Sequence, residues 1–277
     1  MQKEACENHS CRHSVLSKRC LYGLLTINWA YYIYEDASRA SHTIAESDVL
    51  ILKFNEFATS IEVAAWLALL FCMELESSKS QLSEPRRFAK VLLRFVRGIC
   101  LVFILHTLFV CTLYLHELSS QVRYTGITSF CDLVDRDVSY VYNLEYIEIT
   151  PVNCSSLDSD QDIYMVGSHR VVSTLEGLSL ERKFAWIDLI EILVWLLILL
   201  IVEAMFRLVG KNKKTSQVLL ALKSLTRSLY LILMIIAAYW GWHGHWLYFW
   251  DEIIWILAFN VAEPTTNSSA LDSTAQG

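Results

Sequence analysis

Charged residues, proline and glycine are all scarce in this chain. Only 19% of its 277 residues are Asp, Glu, Lys or Arg, whereas about 25% is typical of soluble domains. There are three prolines and nine glycines, which leaves little room for long flexible linkers. The shortage of charge and of linker residues excludes a disordered chain and a small disulfide scaffold, and it argues against a soluble globular enzyme.

Recognised motifs for catalysis and ligand binding are missing as well. The chain has no phosphate-binding glycine loop, nucleophile elbow, paired zinc signature or heptad array. It also lacks the internal repeat that characterises inverted-repeat transporters. We therefore expect neither an enzyme nor a nucleic-acid-binding protein, and the sequence requires no cofactor.

Apolar residues, by contrast, make up 54% of the chain and gather in long runs. A bilayer core of about 30 Å needs about 20 mostly apolar helical residues. Six runs predict an all-α polytopic membrane protein with about six transmembrane helices, at 20–34, 57–73, 91–115, 184–208, 217–240 and 246–262. The second run continues upstream as a polar helix through Asn55. A cleaved signal peptide is the alternative for the first run.

The distribution of basic residues predicts the orientation of these helices. Fourteen Lys and Arg fall on the side that holds both termini, and six fall on the opposite side. Because positive charge is retained in the cytoplasm, both termini are expected there, in a protein of the cell (inner) membrane. The predicted order is a cytoplasmic tail (1–19), helices 1–3 (20–116), an extracytoplasmic domain (117–183), helices 4–6 (184–262) and a cytoplasmic tail (263–277).

Residues 117–183 form the one soluble segment that is long enough to fold. Runs at 140–146 and 147–152 are rich in Tyr, Val and Ile and predict two short strands. Cys131 and Cys154 would face an oxidising compartment, so we expect a disulfide between them. Acidic residues outnumber basic ones by eleven to five, which suits a solvated lid or a surface that attracts cations or a basic partner.

Ionisable residues inside the predicted spans are candidate functional residues, because a charge at mid-bilayer costs about 2.5–3.5 kcal/mol. They lie on polar stripes at helical spacing. The second run carries Asn55, Thr59, Glu62 and Trp66; the third His106; the fourth Asp188, Glu191, Trp195 and Glu203; the fifth Lys223, Arg227, Tyr230 and Met234; and the sixth Asp251 and Glu252.

Helical rise indicates which of these groups share a depth in the bilayer. Glu62, Glu191 and Asp251 fall to the outer side, and Arg227 falls near the midplane. We predict that these four residues and His106 form an ion or proton network, in which Arg227 contacts Glu62 or Glu191. Glu203 and Lys223 fall together on the inner side and form a predicted charge pair. The alternative is that all these groups make structural ion pairs.

Histidine and cysteine clusters raise the question of a metal or haem. His116, His243 and His245 map to the outer boundary with His42 and Glu117, where they are candidate ligands or ordinary interfacial aromatics. The N-terminal tail carries Cys6, His9, Cys11 and His13. Their spacing is tighter than in established zinc modules, so we expect a flexible tail.

These patterns favour an integral membrane protein that binds or translocates a small cation or proton. The alternative is a non-catalytic sensor or an accessory or assembly subunit whose extracytoplasmic domain binds a partner. Besides lipid, the partners compatible with the sequence are a second copy of the chain and another membrane protein. Neutralising Glu62 and Glu191 separates the two functions, because the first predicts lost flux with normal folding and the second predicts lost assembly or no effect.

Overall fold

A computed structural model of the chain describes residues 2–45, 48–79, 87–120, 122–127, 129–157, 162–208 and 214–262. The elements follow in this order: α1 (Gln2–Thr43), α2 (Leu50–Glu56), α3 (Ala58–Lys79), α4 (Arg87–Ser119), a short 3-10 helix (Phe130–Leu133), β1 (Ser139–Tyr142), β2 (Glu145–Glu148), β3 (Ile163–Val166), β4 (Ser168–Thr174), α5 (Leu175–Leu208), α6 (Lys214–Trp242) and α7 (Trp246–Ala262).

Four of the described helices are long and apolar enough to cross a membrane. These stretches are Ala58–Leu75 in α3, Val91–Ser119 in α4, Leu175–Met205 in α5 and Gln217–Trp242 in α6. Each overlaps one of the predicted runs, and together they indicate a membrane protein. The first and last predicted runs also fall within helices, α1 and α7, but α7 has only 17 residues. A total of six spans therefore stays a prediction.

The second predicted helix is not continuous. It breaks at Phe57, whose backbone (φ −97°, ψ 16°) leaves the helical conformation between α2 and α3. The helix resumes at once, since the Ile61 amide donates to the Phe57 carbonyl at 3.1 Å. Asn55 and Thr59, expected on one uninterrupted helical face, therefore lie on either side of a break.

Between α4 and α5 the chain folds into a small domain, which we call the sheet domain (residues 120–174). Its sheet has the strand order β2-β1-β4-β3, with β1 and β4 parallel and the two outer pairs antiparallel. The expected single strand at 140–146 is wrong: it is a hairpin that turns at Asn143 and Leu144, both with positive φ. Residues 149–152 are not in a strand, and the strands β3 and β4 were not expected.

The two faces of the sheet have separate cores. Val141, Val166 and Val171 pack with Leu118 of α4 and Leu178 of α5. The opposite core contains Phe130, Leu133, Val138, Ile149, Cys154, Ile163 and Val172. The Cys131–Cys154 disulfide is confirmed, with Cα atoms 4.9 Å apart. Because α5 already begins at Leu175, its first turns lie within the predicted domain of residues 117–183 and carry the sheet.

The described chain divides into two compact units. The first unit is drawn from residues 1–69 and 94–190 and contains the sheet domain. The second unit is drawn from residues 70–93 and 191–277 and contains α6 and α7.

Candidate functional site

In the first unit, an ion pair on α1 forms hydrogen bonds with the backbone on both sides of the helix break at Phe57. Asp36 is buried, at 2% exposure, and its Oδ2 accepts from the Ser60 amide at 2.9 Å and the Ser60 hydroxyl at 2.6 Å. The Arg39 guanidinium donates to Asp36 Oδ1 at 2.8 Å and to the Glu56 carbonyl at 3.0 Å. In an unbroken helix the Ser60 amide would donate to the Glu56 carbonyl, so the ion pair takes the place of one helical hydrogen bond. Burial raises the pKa of Asp36, while Arg39 and Ser60 act to lower it.

Other side chains satisfy the remaining polar groups around the break. The Thr107 hydroxyl donates to the Ala58 carbonyl at 3.2 Å, and the Trp29 indole donates to the Ser60 carbonyl at 2.9 Å. His106 Nε2 lies 3.2 Å from Asn55 Oδ1. Irregular backbone at membrane depth is tolerated only where protein or water satisfies it, and here α1 and α4 supply the partners.

Three carboxylates on the helices share one feature, an indole N–H as hydrogen-bond donor. In the first unit, Trp66 Nε1 donates to buried Glu62 at 3.0 Å. In the second unit, Trp240 Nε1 donates to Glu191 at 3.2 Å. Trp195 Nε1 lies 3.2 Å from both oxygens of Glu252. We call these residues, Glu62, Glu191 and Glu252, the indole-capped carboxylates.

The second unit brings three acidic side chains together, an arrangement we call the acidic cluster (Glu191, Asp251 and Glu252). Glu252 is 2% exposed, and Asp251 beside it is also buried. Both Glu191 and Asp251 act electrostatically on Glu252. Aromatic rings enclose the site, since the Trp195 ring centroid lies 5.0 Å from that of Phe259 and 6.4 Å from that of Tyr230. The cluster therefore places two buried acids, Asp251 and Glu252, near the half-buried Glu191.

The structure brings together only part of the predicted network. Glu191 and Asp251 meet around Glu252, a residue that sequence analysis placed on a stripe but not in the network. Arg227 is exposed on α6, and no hydrogen bond or ion pair joins it to a residue that the structure describes. The predicted contact of Arg227 with Glu62 or Glu191 stays a prediction.

The members of the predicted inner pair lie on two helices of the second unit, and their pairing stays a prediction. Glu203 forms an ion pair with Arg207 one turn later on α5, at 2.9 Å. Lys223 is half-buried on α6. His106, expected in the network, lies at the helix break. Its ring packs against that of Phe54, with centroids 5.1 Å apart and an interplanar angle of 59°.

The candidate metal ligands are dispersed. His116 is exposed, His243 Nδ1 lies 3.0 Å from the Tyr239 carbonyl, and His245 stacks on Tyr248. Among the described residues, no group of three or more His, Cys, Asp or Glu side chains is placed to hold a metal ion. The Cys6, His9, Cys11 and His13 side chains lie outside the part described in side-chain detail.

Sequence reasoning missed the Asp36–Arg39 pair. A signal was present, because Arg39 is the one Lys or Arg between positions 35 and 50 and follows Glu35 and Asp36 at helical spacing. That spacing predicts a local ion pair. The partner backbone at Ser60 and Glu56 could not be predicted, because the break itself carries no sequence signal.

Comparison with known protein families, curated proteins and solved structures finds no match to this chain.

Proposed function

We propose that the protein binds or passes a proton or small cation at the acidic cluster. Glu252 carries the argument. Its side chain is 2% exposed, both of its oxygens face a single indole N–H, and its electrostatic neighbours are both acidic. An ionised carboxylate removed from water costs several kcal/mol unless a positive charge compensates it. A proton or a bound cation on Glu252 supplies that charge.

The indole donor supports this proposal over a structural ion pair. An indole N–H is neutral and offers one hydrogen bond, so it orients a carboxylate without cancelling its charge. The Asp36–Arg39 pair is the contrasting case, because there a guanidinium balances the carboxylate directly. A group that must release and rebind a proton or cation is better held by a neutral donor than by a fixed positive charge.

The proposal includes a topology of six spans with both termini in the cytoplasm of the cell (inner) membrane. The fourteen-to-six distribution of Lys and Arg supports the orientation. The contacts of Asp36 and Arg39 with Ser60 and Glu56 support α1 as a retained helix, because cleavage near Arg39 would remove them. We further propose that the chain is not an enzyme.

The alternative function is an accessory or sensor subunit whose sheet domain binds a partner. Its support is apolar surface on the sheet domain, where Val152 and Ile147 are both exposed. In that case the indole-capped carboxylates serve folding or assembly.

Flux measurements on purified protein in liposomes test the proposal. Glu252→Gln keeps the shape and the indole contact but removes the charge, so it should abolish proton or cation flux while leaving the melting temperature near that of the wild type. Glu176→Gln, at an exposed position in the first turn of α5, is the matched control and should transport normally. Unchanged flux in Glu252→Gln would rule out the acidic cluster. Loss of assembly on neutralising Glu62 or Glu191, with no flux in the wild type, would favour the accessory subunit.

A further inference from the structure

Glu181 is a buried acid in the first unit whose hydrogen bonding is incomplete. It is 1% exposed and lies on the part of α5 that carries the sheet. Its Oε1 accepts from the Leu144 amide at 2.9 Å, and the adjacent Asn143 amide also donates to the side chain. The second oxygen, Oε2, is buried and has no hydrogen-bond partner.

The backbone of the hairpin turn explains how Glu181 is held. Asn143 and Leu144 have φ values of 54° and 61°, so their successive amides point to one side of the turn. Consecutive amides of this kind form a concave donor site for an oxygen. Glu181 therefore fastens the β1–β2 turn to α5 through one oxygen and leaves the other without a donor.

None of the groups that act electrostatically on Glu181 is a cation. Those within its electrostatic reach are Tyr114 of α4, Tyr140 of β1, Tyr146 of β2 and Asp188 of α5. Arg182 and Lys183 follow Glu181 on α5. The imidazole of His42 on α1 stacks on Tyr146 with ring centroids 5.8 Å apart. Among the described residues, Glu181 makes no ion pair. Burial raises the pKa of the Tyr146 phenol, so this neighbour stays neutral at physiological pH.

Arg39 acts electrostatically on this region from α1, and other acids engage it. It acts on Asp188, Tyr114 and Tyr146. It also pairs with Asp36 at 2.8 Å and lies 3.5 Å from Glu56 Oε2. Glu35 adds further negative charge beside Asp188. The acids within reach of Arg39, namely Asp36, Glu56 and Asp188, therefore outnumber it.

We propose that Glu181 is a proton-binding site, and that the proton on its Oε2 makes docking of the sheet domain on α5 depend on pH. A proton needs no coordination shell, so it suits a site whose other polar neighbours are phenols, backbone amides and one further carboxylate. The proton comes from solvent and returns to it on undocking. The site lies in the first unit and does not depend on the acidic cluster of the second.

Proton linkage fixes the direction of the effect. Near neutral pH the folded protein holds a proton on Glu181. In the unfolded chain Glu181 is exposed and has lost this proton, because an exposed glutamate has a pKa of about 4.3. Unfolding then releases that proton, so stability falls as pH rises. For one proton the folding equilibrium constant falls about tenfold per pH unit while this difference persists.

Thermal denaturation of the full chain in detergent, between about pH 5 and pH 8, tests the proposal. The wild-type melting temperature should fall as pH rises. Glu181→Gln carries an uncharged group of the same shape and should flatten this dependence. Glu176→Gln, the exposed position on the same helix, should keep the wild-type slope. Equal slopes for the wild type and Glu181→Gln would overturn the proposal.

Proton release provides a test that does not require the Glu181→Gln variant to fold. Unfolding of the Glu252→Gln protein, which lacks the proton proposed for the acidic cluster, is followed near neutral pH in weak buffer with an indicator dye and should release protons. Absence of release would overturn the proposal. Melting temperatures of the Glu252→Gln protein, which lacks the cation site proposed for the acidic cluster, should not respond to added Na⁺, K⁺ or Ca²⁺ at the higher pH. Restoration of stability by one of these ions would show that a metal ion, and not a proton, occupies the site.

Discussion

Asp36, a residue of α1, caps the N-terminus of α3 by accepting hydrogen bonds from Ser60 in its first turn. Its carboxylate lies at the N-terminus of α3, where free backbone amides and the helix dipole favour negative charge. The acid comes from α1, so the cap also ties two helices together. Arg39 completes the arrangement by taking the carbonyl that the break leaves free.

The first prediction concerns the loss of this cap. Asp36→Asn removes the charge of a buried pair and weakens the acceptor for both Ser60 donors, so we expect a loss of about 2–3 kcal/mol of unfolding free energy. The value lies below the range for fully buried pairs because the Arg39 side chain is 35% exposed. Unfolding titrations in mixed micelles measure it, with the exposed Asp135→Asn as control. A change within about 0.5 kcal/mol of the control would contradict the assigned role.

Substitution of Trp195 tests the acidic cluster without changing the charge of its three acids. The Trp195 indole N–H holds the Glu252 carboxyl group in one orientation. Trp195→Phe keeps an aromatic ring and removes this bond, which is worth about 1–1.5 kcal/mol. Flux at neutral pH should therefore fall by up to about tenfold. Trp186→Phe, at a 52% exposed position on the same helix, should leave flux unchanged, and an equal loss in both variants would exclude a specific indole contact.

At the scale of elements, hydrophobic periodicity predicted the long helices. It did not predict the break in the second helix or the hairpin in the sheet domain. The break at Phe57 was missed because neither proline nor glycine marks it, and because its hydrogen bonds come from residues 24 and 17 positions away. The hairpin was missed for a similar reason. Leu144 occupies a positive-φ position where Gly or Asn is usual, so the local sequence resembles one continuous strand.

The acidic cluster shows the same limit for sites. Residue type and depth placed Glu191 and Asp251 in one predicted network, and both residues act electrostatically on Glu252 in the structure. Residue type and depth could not select Glu252 over Arg227, because the rotation of α6 and α7 about their axes depends on packing that a single sequence does not reveal. The disulfide was predictable, since only two cysteines lie in the predicted extracytoplasmic domain.

The junction between β4 and α5 provides an element-scale prediction. A Cβ added at Gly177 would lie 2.1 Å from Ser173 Oγ and 3.2 Å from the Tyr142 ring. Gly177→Ala should therefore destabilise the protein by about 1–3 kcal/mol through overpacking. Gly98→Ala in α4 meets no atom within 4 Å and should be neutral or stabilising by up to about 1 kcal/mol, because alanine is the better helix former. Melting temperatures of the two variants decide the matter, and a stable Gly177→Ala protein would mean that the sheet domain is packed loosely on α5.

For the whole molecule, the proposed orientation places the sheet domain outside the cytoplasm. Cysteine variants at Ser156 in the sheet domain and at Ser216, close to Lys211–Lys214, report the two sides of the membrane. The basic segment itself lies largely outside the described residues. A membrane-impermeant thiol reagent applied to intact cells should label Ser156→Cys and spare Ser216→Cys. Labelling of the second alone would reverse the topology.

The central claim is that a proton or small cation neutralises Glu252, and infrared spectroscopy of the purified protein tests it most directly. A protonated carboxyl absorbs apart from ionised carboxylates and amides. The account predicts such a band at neutral pH that Glu252→Gln removes, or, for a bound cation, a band that appears when Na⁺ and K⁺ are withdrawn. An ionised Glu252 that persists at neutral pH, both with and without these cations, would contradict the account.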